Sequence, residues 1–439
     1  MKMKRITTIT AALALCAVTM SAQDGNIDNG AGDARKTEKA GRLAVGGYGE
    51  VALTRNFYSD NVYRYSAPEK YAGDKSHGRF DIPHFVVYIG YDFGHGWKMQ
   101  SEIEFEHTGT GSSVEKEFTE AGEWEVETEK GGEVEVEQFW IQKSFFPQLN
   151  IRVGHIIVPV GGLNNAHEPL NFFTVYRPEG ENTILPSTWH DTGISVWGTA
   201  GAWTYNAMIV AGLDAFMFDR DGFVNAAAGS PYEFKVANNY GFAARIDNSS
   251  IKGLRLSLSG YAGNSMHNSF PNDMRDTRYA GVKGTTLIAA FDFLYRSPDR
   301  NLILRGNADY GHVGDASTIS TIKRNLTSNN APYKKNPVGE AACAAGVEAG
   351  YDFLHFSRRT QSQKLYLFGR YEYYDSYIPE KGQQEYDFTS RHRIAFGVNW
   401  FPIPEIAVKA EFSERFLNSR YNREPSVSIG IAYQAFFRR

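Results

Sequence analysis

The chain has 439 residues, of which 42% are hydrophobic and 14% aromatic, and its formal net charge is −4. A balance this close to neutral gives no case for nucleic-acid binding, and two cysteines, Cys16 and Cys343, are too few for a disulfide framework or a cysteine-based metal site. After residue 22 no run approaches the roughly 20 consecutive apolar residues that a spanning helix needs, which excludes a helical membrane protein.

The N-terminus carries Lys2, Lys4 and Arg5, then the apolar stretch Ile6 to Met20, then the small residues Ser21 and Ala22. That order reads as a secretory signal peptide, residues 1–22, cut after Ala22. Cys16 follows Leu15, where a lipid-attachment signal wants a small side chain. Residues 23–42 are a short polar segment on the periplasmic side, too short to plug a pore, and residues 43–439 carry a repeating pattern.

The pattern is strict alternation. In Trp97 to His107 the residues Trp97, Met99, Ile103 and Phe105 interleave with Lys98, Gln100, Glu102, Glu104 and Glu106. Ile406, Val408, Ala410 and Phe412 interleave with Ala407, Lys409, Glu411 and Ser413, and Val427, Ile429 and Ile431 with Ser426, Ser428 and Gly430. Period two places successive side chains on opposite faces of a β-strand. One face is greasy; the other suits a watery lumen.

Sixteen such strands are predicted, near 43–55, 80–92, 97–108, 133–146, 149–158, 192–200, 202–212, 239–247, 253–263, 284–296, 301–312, 338–353, 364–375, 389–400, 405–416 and 426–437. Most are as long as a tilted bilayer-crossing strand must be. Short turns such as Phe93–Gly96, Pro147–Gln148 and Phe401–Pro404 alternate with long polar loops near 56–79, 109–132, 159–191, 213–238, 264–283, 313–337, 376–388 and 417–425. A lipid-facing sheet edge would leave backbone groups without partners at several kcal/mol each, so the strands must close into a ring. The expectation is an all-β transmembrane antiparallel barrel with short periplasmic turns and long extracellular loops. Trp97, Trp140, Tyr295, Trp400, Phe401, Phe436 and Phe437 sit near strand ends, as interfacial aromatics do. Phe437 is followed by Arg438 and Arg439, expected to overhang the last strand.

The stretch after the fifth strand runs Arg152-Val-Gly-His-Ile-Ile-Val-Pro159-Val-Gly161-Gly-Leu-Asn-Asn165, then Phe172-Phe-Thr-Val-Tyr-Arg177-Pro178, then Ile184 to Trp189. A strand ending in Pro-x-Gly, followed by an Asn/Phe-rich loop with a central Arg, resembles the phosphate-selective porin O and P family. The resemblance implies a sixteen-stranded, usually trimeric porin whose third long loop folds inward. It implies passive diffusion of small hydrophilic solutes, anions such as phosphate among them, through the outer membrane with no cofactor. By spacing, 159–191 is the third long loop and the longest.

The family's selectivity is attributed to pore-lining cations. The candidates here are Arg177, Arg255, Arg305, Arg370, Arg391, Arg393, Lys409 and Arg415, since a guanidinium fork pairs well with phosphate; Arg152 and Arg245 share the inward face. Glu102, Glu104 and Glu106 form an opposing acidic wall, and Glu340, Glu348, Glu372 and Glu411 face the same lumen. Opposed walls give a transverse field and modest ion preference; each Arg is equally open to a salt bridge with a neighbouring strand's Glu.

The run Glu115 to Glu137 holds ten glutamates. Glu123–Glu127 and Glu133–Glu137 around Lys130-Gly131-Gly132 predict a β-hairpin above the membrane, which is either solvated, a binder of divalent cations or a partner contact. Asn325-Leu326-Thr327 matches a sequon and marks a loop. His190-Asp191 with Ser187 is the one catalytic-looking group, and adjacency alone does not make a catalytic set, so no enzyme is expected and no metal site assigned. The alternative to a porin is a non-conducting barrel acting as an adhesin or assembly protein.

Overall fold

The computed structural model describes residues 42–438 except 75, 108–111, 119–123, 131–133, 187, 230–234, 269–279, 326–334, 358–362 and 422. The signal peptide, residues 23–41, Ser187, and Leu326 and Thr327 of the sequon lie outside the described residues.

The alternating segments form long strands: β1 Arg42–Asn56, β2 His77–Asp81, β3 His84–Gly94, β4 Trp97–Glu106, β5 Ser112–Phe118, β6 Trp124–Lys130, β7 Val134–Phe146, β8 Leu149–Ile157, β9 His190–Ala200 and β10 Trp203–Val210. They continue with β11 Gly241–Asn248, β12 Leu254–Asn264, β13 Thr285–Arg296, β14 Leu302–Val313, β15 Ala341–Asp352, β16 Lys364–Ile378, β17 Ser390–Ile403, β18 Ile406–Phe416 and β19 Glu424–Arg438. All strands but β5 and β6 join one sheet of seventeen; its pairings are antiparallel, β1 takes both β2 and β3, β4 pairs with β7, the other strands pair with their neighbours in the chain, and β19 pairs with β1. The ring is closed, so it has no edge.

β2 and β3 pair with the two ends of β1. They are one stave interrupted at Ile82-Pro83, which makes sixteen staves. Proline has no N–H to give a ladder, and the alternation that predicts a continuous strand over 80–92 cannot register that loss.

Large apolar side chains cover the outside. Phe242, Leu258, Ile194, Val153, Ile209, Ile429 and Phe396 all stand about half exposed or more. A belt of this extent is far beyond what a water-soluble monomer shows. Trp97, Phe145, Phe146, Trp203, Phe353 and Trp400 ring the end that carries the short turns, where amphipathic aromatics favour the membrane interface. A closed barrel with this exterior belongs in lipid, and the chain resides in the outer membrane.

Two further expectations are corrected. The acidic run predicts a hairpin about Lys130-Gly131-Gly132, of which Gly131 and Gly132 lie outside the described residues, but the flanking strands take other partners: β6 pairs with β5, Glu117 opposite Glu125, while Val134 and Val136 are wall residues of β7 opposite Phe105 and Ile103 of β4. Alternation identifies strands but not which neighbour each will choose. Arg438 is no overhang, since it is the last residue of β19 and lies opposite Ala44.

Candidate functional site

The loop between β8 and β9 is built from its neck upward. Val158 N–H donates to Trp189 O at 2.8 Å. Asn164 then clasps both ends: its Nδ2 donates to Val158 O at 2.7 Å and its Oδ1 accepts from Trp189 N at 2.6 Å. Gly161 has φ +83°, a left-handed conformation that glycine tolerates. It turns the chain so that Glu181 accepts backbone N–H bonds from Gly162, Leu163 and Asn164. Burial, and next Asp292, push the Glu181 carboxyl up to about 7 despite those bonds.

From this neck the loop crosses the lumen to inward-facing side chains of the far wall. Lys409 Nζ of β18 donates to Pro169 O, Phe172 O and Thr174 O at 2.5, 3.0 and 2.9 Å. Glu411 accepts from Val175 N at 2.7 Å, Glu372 of β16 accepts from Gly180 N at 3.1 Å, and Asn399 of β17 donates to Phe173 O at 2.7 Å. Glu179 is held by both arms of Arg415, each at 2.6 Å, and by Arg393 at 3.2 Å. Burial raises its carboxyl, but the two guanidiniums outweigh it and hold Glu179 well below the usual carboxylate range.

The structure thus places the candidate cations in two groups. Arg370, Arg393 and Lys409 are at most 5% exposed at the side chain or 1% as whole residues, and they are engaged with the loop or with Glu348, Glu372 and Glu411. Arg415 is tied to Glu179 and Glu424, and Arg391 bonds Phe388 O and Tyr65. The second group is more open. Arg255 is 29% exposed beside Asp292, and Arg305 is 17% exposed beside Glu348. Arg296, which the candidates did not include, shares this arc, since it occupies an inward position at the end of β13 and acts electrostatically on Arg305. All three lie toward the short-turn end of β12–β14.

The acidic candidates sit elsewhere. Glu102 and Glu104 of β4 face inward and are buried; Glu104 bonds His84 at 2.5 Å, and Glu106 stands 4.0 Å from the same imidazole. Arg177 of the loop reaches this region. Burial works against its charge, but Tyr48 and the carboxylates of Glu104, Glu137 and Glu50 hold it above its ordinary range. Arg152 stacks over Trp140 at 4.1 Å, and Arg245 bridges Asp247, Asp292 and Gly161 O. Glu340 stands just before β15, where its carbonyl accepts from Val313 N.

A second feature escapes sequence reading. Phe216, Phe218 and Phe223 of the fourth long loop, with Ile319 and Ile322 of the helix Ala316–Asn325, pack with Val158, Val160, Ile184 and Trp189 into one buried apolar cluster against the loop-side half of the wall. These aromatics lie in an alanine- and glycine-containing loop whose apolar residues keep no strand or helix period, so no pattern marks them. His190 pairs with His155 at 2.5 Å, and Asp191 accepts from Thr192 N and Gly212 N.

No family model matches the chain. A protein of Aquifex aeolicus (strain VF5), described as uncharacterised, is 28% identical over 379 residues, covering 84% of this chain and 75% of its own. An anion-selective porin from Comamonas acidovorans superposes with a TM-score of 0.51 at 10% identity, over 90% of this chain and 100% of that one. Salmonella typhi OmpF in complex with daunomycin gives 0.50 at 11%, over 90% and 98%. At such identities the likeness establishes the fold: a closed, sixteen-stave barrel of the outer-membrane porin type.

Proposed function

We propose that the chain is a passive outer-membrane channel for small hydrophilic solutes, with the loop between β8 and β9 setting its bore. The observation that carries this is the fastening of the loop across the lumen by Lys409, Glu411, Glu372 and Asn399. A sixteen-strand ring is wide enough to leave an aqueous channel, and a docked loop reduces it to a slot. The partly exposed Arg255 and Arg305, with Arg296 beside them, support a preference for anions, phosphate included, as the resemblance to the O and P family implies. The buried glutamates temper that preference. A homotrimer is part of the same reading, and native mass of the detergent-extracted protein tests it.

Reconstitution in a planar bilayer with a salt gradient tests the channel. Discrete conductance steps are expected, with a reversal potential on the anion side that moves toward the cation side in Arg255→Ala/Arg305→Ala. Cation preference in the unaltered protein would remove the basic arc from the reading. A second reading, a sealed barrel serving adhesion, is favoured by the near-complete burial of lumen-facing Glu102, Asn399 and Lys409; it requires that no conductance steps be seen.

A further inference from the structure

Glu102 of β4 and Glu137 of β7 face the lumen beside His167 of the crossing loop, and one donor atom from each lies within 4.8 Å of the other two. All three are at most 3% exposed. Glu102 Oε2 accepts from Gln138 Nε2, while Glu102 Oε1, both oxygens of Glu137 and Nε2 of His167 are buried without a close, well-directed hydrogen bond, their polar neighbours being one another and Glu104. A carboxylate removed from water with nothing to bind costs several kcal/mol. Such a group calls for a cation.

The imidazole is set up to ligate. His167 Nδ1 lies 3.1 Å from Asn164 O, and a carbonyl can only accept, so Nδ1 carries a proton; burial works against a second proton on Nε2, but Glu102 and Glu168 outweigh it, and an incoming cation would displace that proton and take the Nε2 lone pair. That is the arrangement by which a carbonyl behind the ring orients a metal-bound histidine. Nε2 points at Glu102 Oε1 from 3.7 Å, too far for a hydrogen bond and close enough for an ion between them. Charge points the same way. Glu137 is crowded by Glu102 and Glu104, and Arg177 is the cation acting against them.

We infer that Glu102, Glu137 and His167 bind a divalent first-row transition cation, with Zn²⁺ as the fitting probe. Two carboxylates and one imidazole match the ligand set that zinc accepts, whereas Mg²⁺ and Ca²⁺ prefer oxygen alone. The ion links two staves of the wall to the loop and pins the loop near its first turn. The site stands independently of the channel reading, because metal binding is measured without any conductance.

The folded protein in detergent, stripped with EDTA and dialysed against ZnCl2, is expected to keep about one zinc per chain. Glu137→Gln and His167→Gln should each weaken binding at least about tenfold, with heat-modifiable migration confirming the fold. Co²⁺ added to the unaltered protein should give the visible d–d bands of a nitrogen and oxygen site. Equal zinc retention by the unaltered protein and both variants, which would mean binding at surface glutamates, overturns the site. So does the absence of retained zinc or of cobalt bands in the unaltered protein, whether or not the variants fold.

Discussion

Lys409 shows how much one lumen-facing residue can decide. Its Nζ spends three donors on three loop carbonyls, and charged hydrogen bonds in a buried setting are worth roughly 1.5–3 kcal/mol each. Lys409→Met should therefore loosen the docked loop by about 3 kcal/mol or more, seen as raised open-channel noise and faster proteolysis between residues 169 and 175; an unchanged cleavage rate would mean that the loop is held elsewhere. Glu181 gives a pH dependence of definite sign. The docked carboxyl titrates near 7 against an ordinary 4.5, so the docked loop binds the proton more tightly than the released one. Docking is then strongest below about pH 4.5 and weakens as pH rises through 7, while Glu179, shifted the other way, stays ionised over that range. Conductance should be larger at pH 8 than at pH 5, and Glu181→Gln should flatten the difference. Alternation was enough to turn Glu102, Lys409, Arg370 and Arg393 inward. It could not show that the partners of Lys409 would be backbone carbonyls of a loop more than 200 residues away, because a docked loop leaves no periodic trace.

At the scale of elements, the staves flanking the loop are locked by close backbone approach. Gly154 of β8 and Gly193 of β9 lie opposite one another. A Cβ on Gly154 would meet Phe139 O at 2.2 Å, and one on Gly193 would meet Ile209 O at 2.1 Å; Gly154 also has φ +141°. Gly154→Ala adds a clash and backbone strain together, and a loss of about 2 kcal/mol is expected from the urea midpoint; a midpoint within error of the parent would show that the wall bends to admit a methyl. The staves themselves were legible because lipid on one side and polar groups on the other force period two over the full span of each. Legibility failed where that forcing stops. Above the rim β5 and β6 choose each other rather than β7, and Ile82-Pro83 breaks a stave where the alternation itself does not. The helix Ala316–Asn325 sits on the loop cluster and not in the wall, so its amphipathic stripe is short and easily taken for a polar loop.

For the whole molecule, wall and loop are separable in energy. Every stave finds its ladder partners in the ring, from the β1–β19 seam round to β9–β10, and none of those pairings uses residues 161–186. The neck is narrow, since Val158 N and Trp189 O are 2.8 Å apart, so a short Gly/Ser linker can replace 161–186 without stretching β8 or β9. Removing the loop takes away the loop partners of Lys409, Arg393, Glu372 and Glu411, leaves Arg393 paired with Glu372 and Glu411, and exposes all four to water, where an unpaired charge costs little compared with one left buried. The shortened chain should therefore still fold to a heat-modifiable barrel, and its single-channel conductance should rise several-fold toward that of an open sixteen-strand ring. Its anion preference should shift as well, because Lys409 and Arg393 would then face the solute directly beside Glu411 and Glu372. A folded barrel with unaltered conductance would mean that solutes never passed the loop, and the bore would have to be sought along another part of the wall.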